Sequence, residues 1–177
     1  MAIDYGRIEL LVLDVDGVLT DGRIILTPWG AEIKAFHSHD GAGIRFWQRL
    51  GKQVAFITGR RSRAVTRRAR DLGIKLVHQR IKDKLPVFRR MLEKLHLQPD
   101  QAAVMGDDLT DLPMMCHAGL SLAPADAVEE VRRRVHHVTI ARGGQGAVRE
   151  AIELILRHSG RWDEVLQRYL HQREPGS

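Results

Sequence analysis

Apolar residues along this chain gather in short unbroken runs rather than in strict alternation. Leu10 to Leu13, Gln53 to Ile57, Lys75 to His78, Ala102 to Met105, Leu120 to Ala123 and His137 to Ile140 each read as a strand bounded by glycine, acids or turn residues. Runs of this kind are covered on both faces, as in a parallel sheet. Between them, the spacing of apolar positions predicts helices over Ile44 to Leu50, Ser62 to Leu72, Leu85 to Leu95, Ala127 to Val135, Ala147 to about Arg157 and Trp162 to about Tyr169, with another starting at Leu112. Strands alternating with helices predict an α/β fold built on a doubly wound, mainly parallel sheet. Two short strand-like segments, Arg23 to Leu26 and Glu32 to Phe36, flank Thr-Pro-Trp-Gly and predict a small β-hairpin over about 22–37. Its exposed apolar residues and Trp29 suit a flap near the first strand's acids or an oligomer interface. No linker or repeat interrupts the pattern, so residues 1–177 read as a single domain with a tail over about 143–177.

Composition adds limits. The chain has 177 residues, 44% of them hydrophobic, enough for one sizeable core. No apolar run approaches the roughly 20 residues that cross a bilayer, and an amino terminus carrying Asp4 and Glu9 lacks a signal-peptide pattern. A cytoplasmic protein is expected, with no membrane partner. The lone Cys116, after Met114 and Met115, reads as a buried small hydrophobe. The net charge of +6 and the cluster Arg60, Arg61, Arg63, Arg67, Arg68 and Arg70 raise nucleic-acid binding as a class. Those arginines spread around several faces of a predicted helix, and no nucleic-acid motif accompanies them. They read as a solvated helix that steers a small anionic substrate.

The candidate chemistry lies at strand ends. The first strand runs into Asp14 and Asp16, two carboxylates at the rim where open α/β sheets bind ligands. Like charges held together call for a cation or a proton between them, and oxygen ligands suit magnesium. Asp21-Gly22 reads as turn chemistry. Thr58-Gly59-Arg60 follows the second core strand and offers a hydroxyl and free N–H groups at a helix start, a natural phosphate cradle. Lys84 sits where the next helix begins. Asp107, Asp108 and Asp111 repeat the acid pattern after Ala102 to Met105, and Asp111 has a second reading as a helix cap. His37 and His39 precede Asp40-Gly41-Ala42-Gly43 and read as hydrogen-bonding or solvated residues rather than metal ligands.

In order and spacing, D-V-D-G-V-L-T-D at Asp14 to Asp21, T-G-R at Thr58 to Arg60, the lysine of K-D-K-L at Lys84 and G-D-D-x-x-D at Gly106 to Asp111 resemble the haloacid dehalogenase superfamily of phosphatases. The resemblance implies that Asp14 is a nucleophile forming an aspartyl-phosphate and that Asp16 is the general acid and base. It implies that Mg2+ is held by Asp14, Asp107 and the backbone carbonyl of Asp16. Thr58, Gly59, Arg60, Lys84 and Asp111 would then bind phosphate and substrate, with Asp111, together with Asp108, orienting Lys84 or metal-bound water. Further motifs, D-G-x-G-I at Asp40 to Ile44 and G-G-x-G-A-x-R-E at Gly143 to Glu150, narrow the resemblance to its capless phosphatases of acidic sugar phosphates. That group implies 3-deoxy-D-manno-octulosonate 8-phosphate as substrate, a place in lipopolysaccharide precursor synthesis, and a homotetramer without a cap domain. A nonulosonate 9-phosphate is the alternative substrate. The group often carries asparagine and a basic residue where this chain has His37 and His39. The segment Gly143-Gly144-Gln145-Gly146, with Arg149, reads either as a turn or as a piece that completes a neighbouring active site.

Overall fold

A computed structural model describes residues 3–170. In chain order its elements are β1 (Leu10–Leu13), β2 (Ile25–Leu26), β3 (Glu32–Ile33), α1 (Ser38–Arg49), β4 (Gln53–Ile57), α2 (Arg63–Asp71), β5 (Leu76–His78), α3 (Lys84–Leu95), β6 (Ala102–Met105), α4 (Leu112–Met115), β7 (Leu120–Ala123), α5 (Glu129–Arg132), β8 (His137–Val138), α6 (Ala147–His158) and α7 (Trp162–Leu170). Six strands form one sheet in the order β5-β4-β1-β6-β7-β8, parallel throughout. From β1 the chain winds outward through β4 and β5, then returns to β1's other side for β6, β7 and β8. The reversal opens a crevice at the carboxyl ends of β1, β4 and β6, the place where such sheets hold ligands.

Both faces of the sheet are apolar, so the unbroken runs are explained by two-sided burial. Leu11, Leu13, Val54, Phe56, Ala103 and Met105 point to the face covered by α1, α2, α6 and α7. Their sequence neighbours Leu10, Val12, Ala55, Ile57, Ala102 and Val104 point to the face covered by α3, α4 and α5. No helix among the described residues is long and apolar enough to cross a membrane.

Several expectations change. The helix expected from Ile44 begins at Ser38, because Gly41 and Gly43 are helical. They serve close packing there: a Cβ on Gly43 would come within 3.2 Å of the Arg149 Cα on α6. Asp40, fully buried, accepts from the Arg149 N–H at 2.8 Å and so caps α6 from outside. The expected helix Ala127 to Val135 contracts to a single turn, α5, and β8 stops at Val138. Cys116 is exposed rather than buried, since the short α4 turns Met114 and Met115 inward. Of the arginine cluster, Arg68 is the half-buried member, donating to the His37 carbonyl at 3.2 Å. The hairpin keeps only two residues in each strand. Residues 171–177 of the expected tail lie outside the described residues.

Candidate active site

The site is built from chain breaks at strand ends. Asp14 follows β1, is 5% exposed, and ties its own N–H to the Met105 carbonyl of β6 at 3.0 Å. Beyond it the chain turns at Gly17, whose φ of +96° is disfavoured for any residue with a Cβ. The Asp107 carboxylate lies where that Cβ would stand. Thr58, 2% exposed, follows β4, and its Oγ1 accepts from the Arg60 N–H at 3.3 Å. Lys84 opens α3 and is 4% exposed. With Gly59, Arg60, Ile81, Lys82, Asp107 and Asp111, these residues line a cavity of about 450 Å³. Asp16 lines it too.

At the cavity floor Lys84 Nζ donates to Asp14 Oδ1 and to Asp111 Oδ1, each at 2.6 Å. Asp111 Oδ2 accepts from the backbone N–H groups of Asp107 at 3.1 Å and Asp108 at 3.3 Å. Asp111 stands at the N-cap position of α4 but makes no side-chain cap bond within it. Its carboxylate instead holds the loop before it and the lysine opposite. Carboxylate oxygens of Asp14, Asp107 and Asp111 lie within 4.8 Å of one another.

Electrostatics show what this arrangement lacks. Burial, reinforced by Asp111, pushes Asp14 up to about 7 even though Lys84 pulls the other way. Burial and the carboxylates of Asp14, Asp111 and Asp108 push Asp107 up to about 8. Burial alone would lower Lys84, yet Asp14 and Asp111 hold it above its ordinary value. One ammonium thus faces three clustered carboxylates. An all-oxygen donor set with its charge in excess fits a hard divalent cation, which would return Asp14 and Asp107 to their ionised forms.

Asp16 stands apart from that carboxylate cluster. Its Oδ1 accepts from Nζ of Lys34, which follows β3. Lys34 also pairs with Glu32, and Glu32 Oε2 accepts from Arg60 Nη2 at 3.3 Å. Sequence reasoning missed Glu32 and Lys34. The signal was available: two ionisable residues two apart in extended chain share a face, here the one turned to Asp16 and Arg60. His37 is the N-cap residue of α1, its ring 5.0 Å from that of His39, and neither lines the cavity.

The glycine-rich segment closes on its own chain. Gly144 N–H donates to the Val18 carbonyl at 2.9 Å, and a Cβ on Gly143 would overlap the Gly17 carbonyl. Arg149 points away from the cavity, with Nε on Glu153 Oε1 at 2.5 Å and its guanidinium 4.5 Å from the Phe46 ring centroid. Within its own chain Arg149 therefore adds no charge to this cavity.

A switch-point crevice with clustered carboxylates, a buried lysine and a strand-end threonine defines a metal-assisted phosphoryl-transfer site of the haloacid dehalogenase type. Residues 74–152 match the model of the haloacid dehalogenase-like hydrolases. The chain is 47% identical over 151 residues to the 3-deoxy-D-manno-octulosonate 8-phosphate phosphatase KdsC of Yersinia pestis, covering 85% of this chain and 81% of the relative. It is 46% identical over 159 residues to the same-named protein of Escherichia coli strain K12, covering 90% and 85%. The crystal structure of the 3-deoxy-D-manno-octulosonate 8-phosphate phosphatase from Moraxella catarrhalis, in complex with magnesium, phosphate and KDO, superposes with a TM-score of 0.91 at 38% identity, covering 93% and 95%. This chain belongs to the 3-deoxy-D-manno-octulosonate 8-phosphate phosphatase family of haloacid dehalogenase-like hydrolases.

Proposed function

We propose that this chain is a magnesium-dependent phosphatase that releases phosphate from 3-deoxy-D-manno-octulosonate 8-phosphate in the cytoplasm. The observation that carries the reading is the Lys84 bridge between Asp14 and Asp111, 2.6 Å to each, inside a cluster of three carboxylates at the switch point. Asp14 is the nucleophile. It forms an O–P bond as the P–O bond to the sugar carbon breaks, and Asp16 gives the departing oxygen its proton. Asp16 then takes a proton from water, which attacks phosphorus, releases phosphate and frees Asp14. Lys84 and the Thr58 hydroxyl hold the phosphoryl oxygens, with Gly59 beside them, and Asp111 keeps Lys84 in place. Asp14, Asp107 and the Asp16 carbonyl are the residues that would hold magnesium. When bound, the metal offsets charge on the transferring group. Arg60 and Lys82, at the cavity wall, supply cations for the sugar's carboxylate.

The same reading includes a homotetramer joined through hairpins. Ile24, Leu26, Trp29 and Ile33 are 53%, 63%, 86% and 51% exposed, a density of apolar surface that favours burial against another copy. Phosphate release from a panel of sugar phosphates, with magnesium or with EDTA, tests the function. The eight-carbon acid should be preferred over glucose 6-phosphate and over a nonulosonate 9-phosphate, and Asp14→Asn should lower turnover by about three orders of magnitude while remaining folded. Normal turnover in folded Asp14→Asn would sink the assignment.

A further inference from the structure

The hairpin is tied to the site through side-chain charges on the strand that returns from its turn. Along Glu32, Ile33, Lys34, Ala35 and Phe36, burial alternates, with Ile33 and Ala35 exposed and the other three turned inward. The Lys34 side chain is 1% exposed. A buried ammonium persists only when paired, and Lys34 has Asp16 on one side and Glu32 on the other. Burial would lower it, but those two carboxylates outweigh burial and hold the ammonium above its ordinary value. The Asp16 carboxylate accepts from Lys34 and from no other group among the described residues. A ladder of two residues per strand does not hold itself together, so this buried charge chain, ending at Arg60, also anchors the hairpin.

We propose that Lys34 is the positioning residue for the proton donor: by engaging Oδ1 of Asp16 it leaves Oδ2 to carry the proton toward the leaving oxygen, making the hairpin a working part of phosphoryl transfer. The inference rests on the reading of Asp16 as general acid given above. In the step concerned, the proton on Asp16 Oδ2 passes to the sugar oxygen as its bond to phosphorus breaks. A leaving group that departs as a stable anion needs no such proton.

The test compares Lys34→Met, Lys34→Arg and wild type, each with magnesium, on an alkyl ester, 3-deoxy-D-manno-octulosonate 8-phosphate, and on p-nitrophenyl phosphate. kcat/KM is read because it reports steps only as far as departure of the leaving group. A positioned acid is worth about 10²–10⁴-fold, so Lys34→Met should lose about 10- to 100-fold on the alkyl ester and less than about threefold on p-nitrophenyl phosphate. Lys34→Arg should recover most of the loss. An equal loss on both substrates, as a merely loosened fold would give, or no loss on the alkyl ester, overturns the proposal. If Lys34→Met does not fold, Lys34→Gln carries the same comparison. Wild type that cleaves p-nitrophenyl phosphate but not the sugar-acid phosphate overturns the substrate reading alone, and the comparison then runs on whichever alkyl phosphate is cleaved.

Discussion

Asp107→Asn separates what the carboxylate cluster costs from what it does. Asp107 is pushed from 3.8 up to about 8 by burial and by its acidic neighbours. An acid whose pKa is raised in the folded state binds its proton more tightly there than in the unfolded chain. Its contribution is therefore undiminished below about pH 4 and is lost progressively as pH rises toward about 8. Each pKa unit corresponds to about 1.4 kcal/mol, which bounds the loss in metal-free protein at about 5 kcal/mol, and relaxation and water entry reduce it to an expected 2–3, about half. Asparagine has nearly the same shape and never ionises. In EDTA, urea unfolding should show Asp107→Asn and wild type equally stable at or below about pH 4, and the variant more stable by about 2–3 kcal/mol at pH 8. Magnesium at about 1,000 times its Kd should reverse the order, since a ligand at that excess adds about 4.1 kcal/mol to a protein that binds it. Wild-type magnesium affinity should itself rise with pH, by about tenfold per unit for each proton displaced. A variant no more stable than wild type at pH 8 in EDTA would refute the reasoning that the cluster is held against its own repulsion.

Gly143→Ala places a methyl group on the Gly17 and Thr20 carbonyls, so it should cost about 1–3 kcal/mol in denaturant unfolding and lower kcat by shifting the loop that carries Asp16. His96 ends α3 at φ 55°, where its Cβ is disfavoured, and is exposed; His96→Gly should raise stability by about 0.5–1 kcal/mol without altering activity, read by urea unfolding and phosphate release. Trp29→Lys combined with Leu26→Lys should convert the proposed tetramer to smaller species in sedimentation, and an unchanged mass would exclude a hairpin interface.

The sheet was legible because burial on both faces leaves a local mark. Leu10–Leu13, Gln53–Ile57, Ala102–Met105 and Leu120–Ala123 appear at the expected bounds, each apolar without interruption apart from Gln53 and Ser121. The candidate site residues Asp14, Thr58, Lys84 and Asp111, picked out at strand ends and helix starts, are all buried and line one cavity. Features decided by distant neighbours were hidden. The start of α1 depends on α6 lying against Gly43, where an added Cβ would stand 3.2 Å from the Arg149 Cα, a contact without a local signature. Cys116 took its expected burial from Met114 and Met115, but on a single helical turn it falls on the outer side. Lys34 and Glu32 gain their role only through the hairpin's fold-back, which brings them to Asp16 and Arg60.

The contact between the Gly143-Gly144 turn and the Val18 to Asp21 loop also sets a timetable. During synthesis the proposed nucleophile, Asp14, is made long before the Gly143-Gly144 segment that braces the loop beside it. Its flanking strands β4 and β6 likewise arrive at different times, β6 only after residue 102. A nascent chain stalled before residue 143 can therefore hold every acid of the cluster and still lack the support behind it. The loop beside the proposed nucleophile thus reaches its full set of contacts only once the Gly143-Gly144 turn is in place. A chain cut in the α5–β8 region would likewise need its two pieces to reunite before the loop beside Asp16 could set.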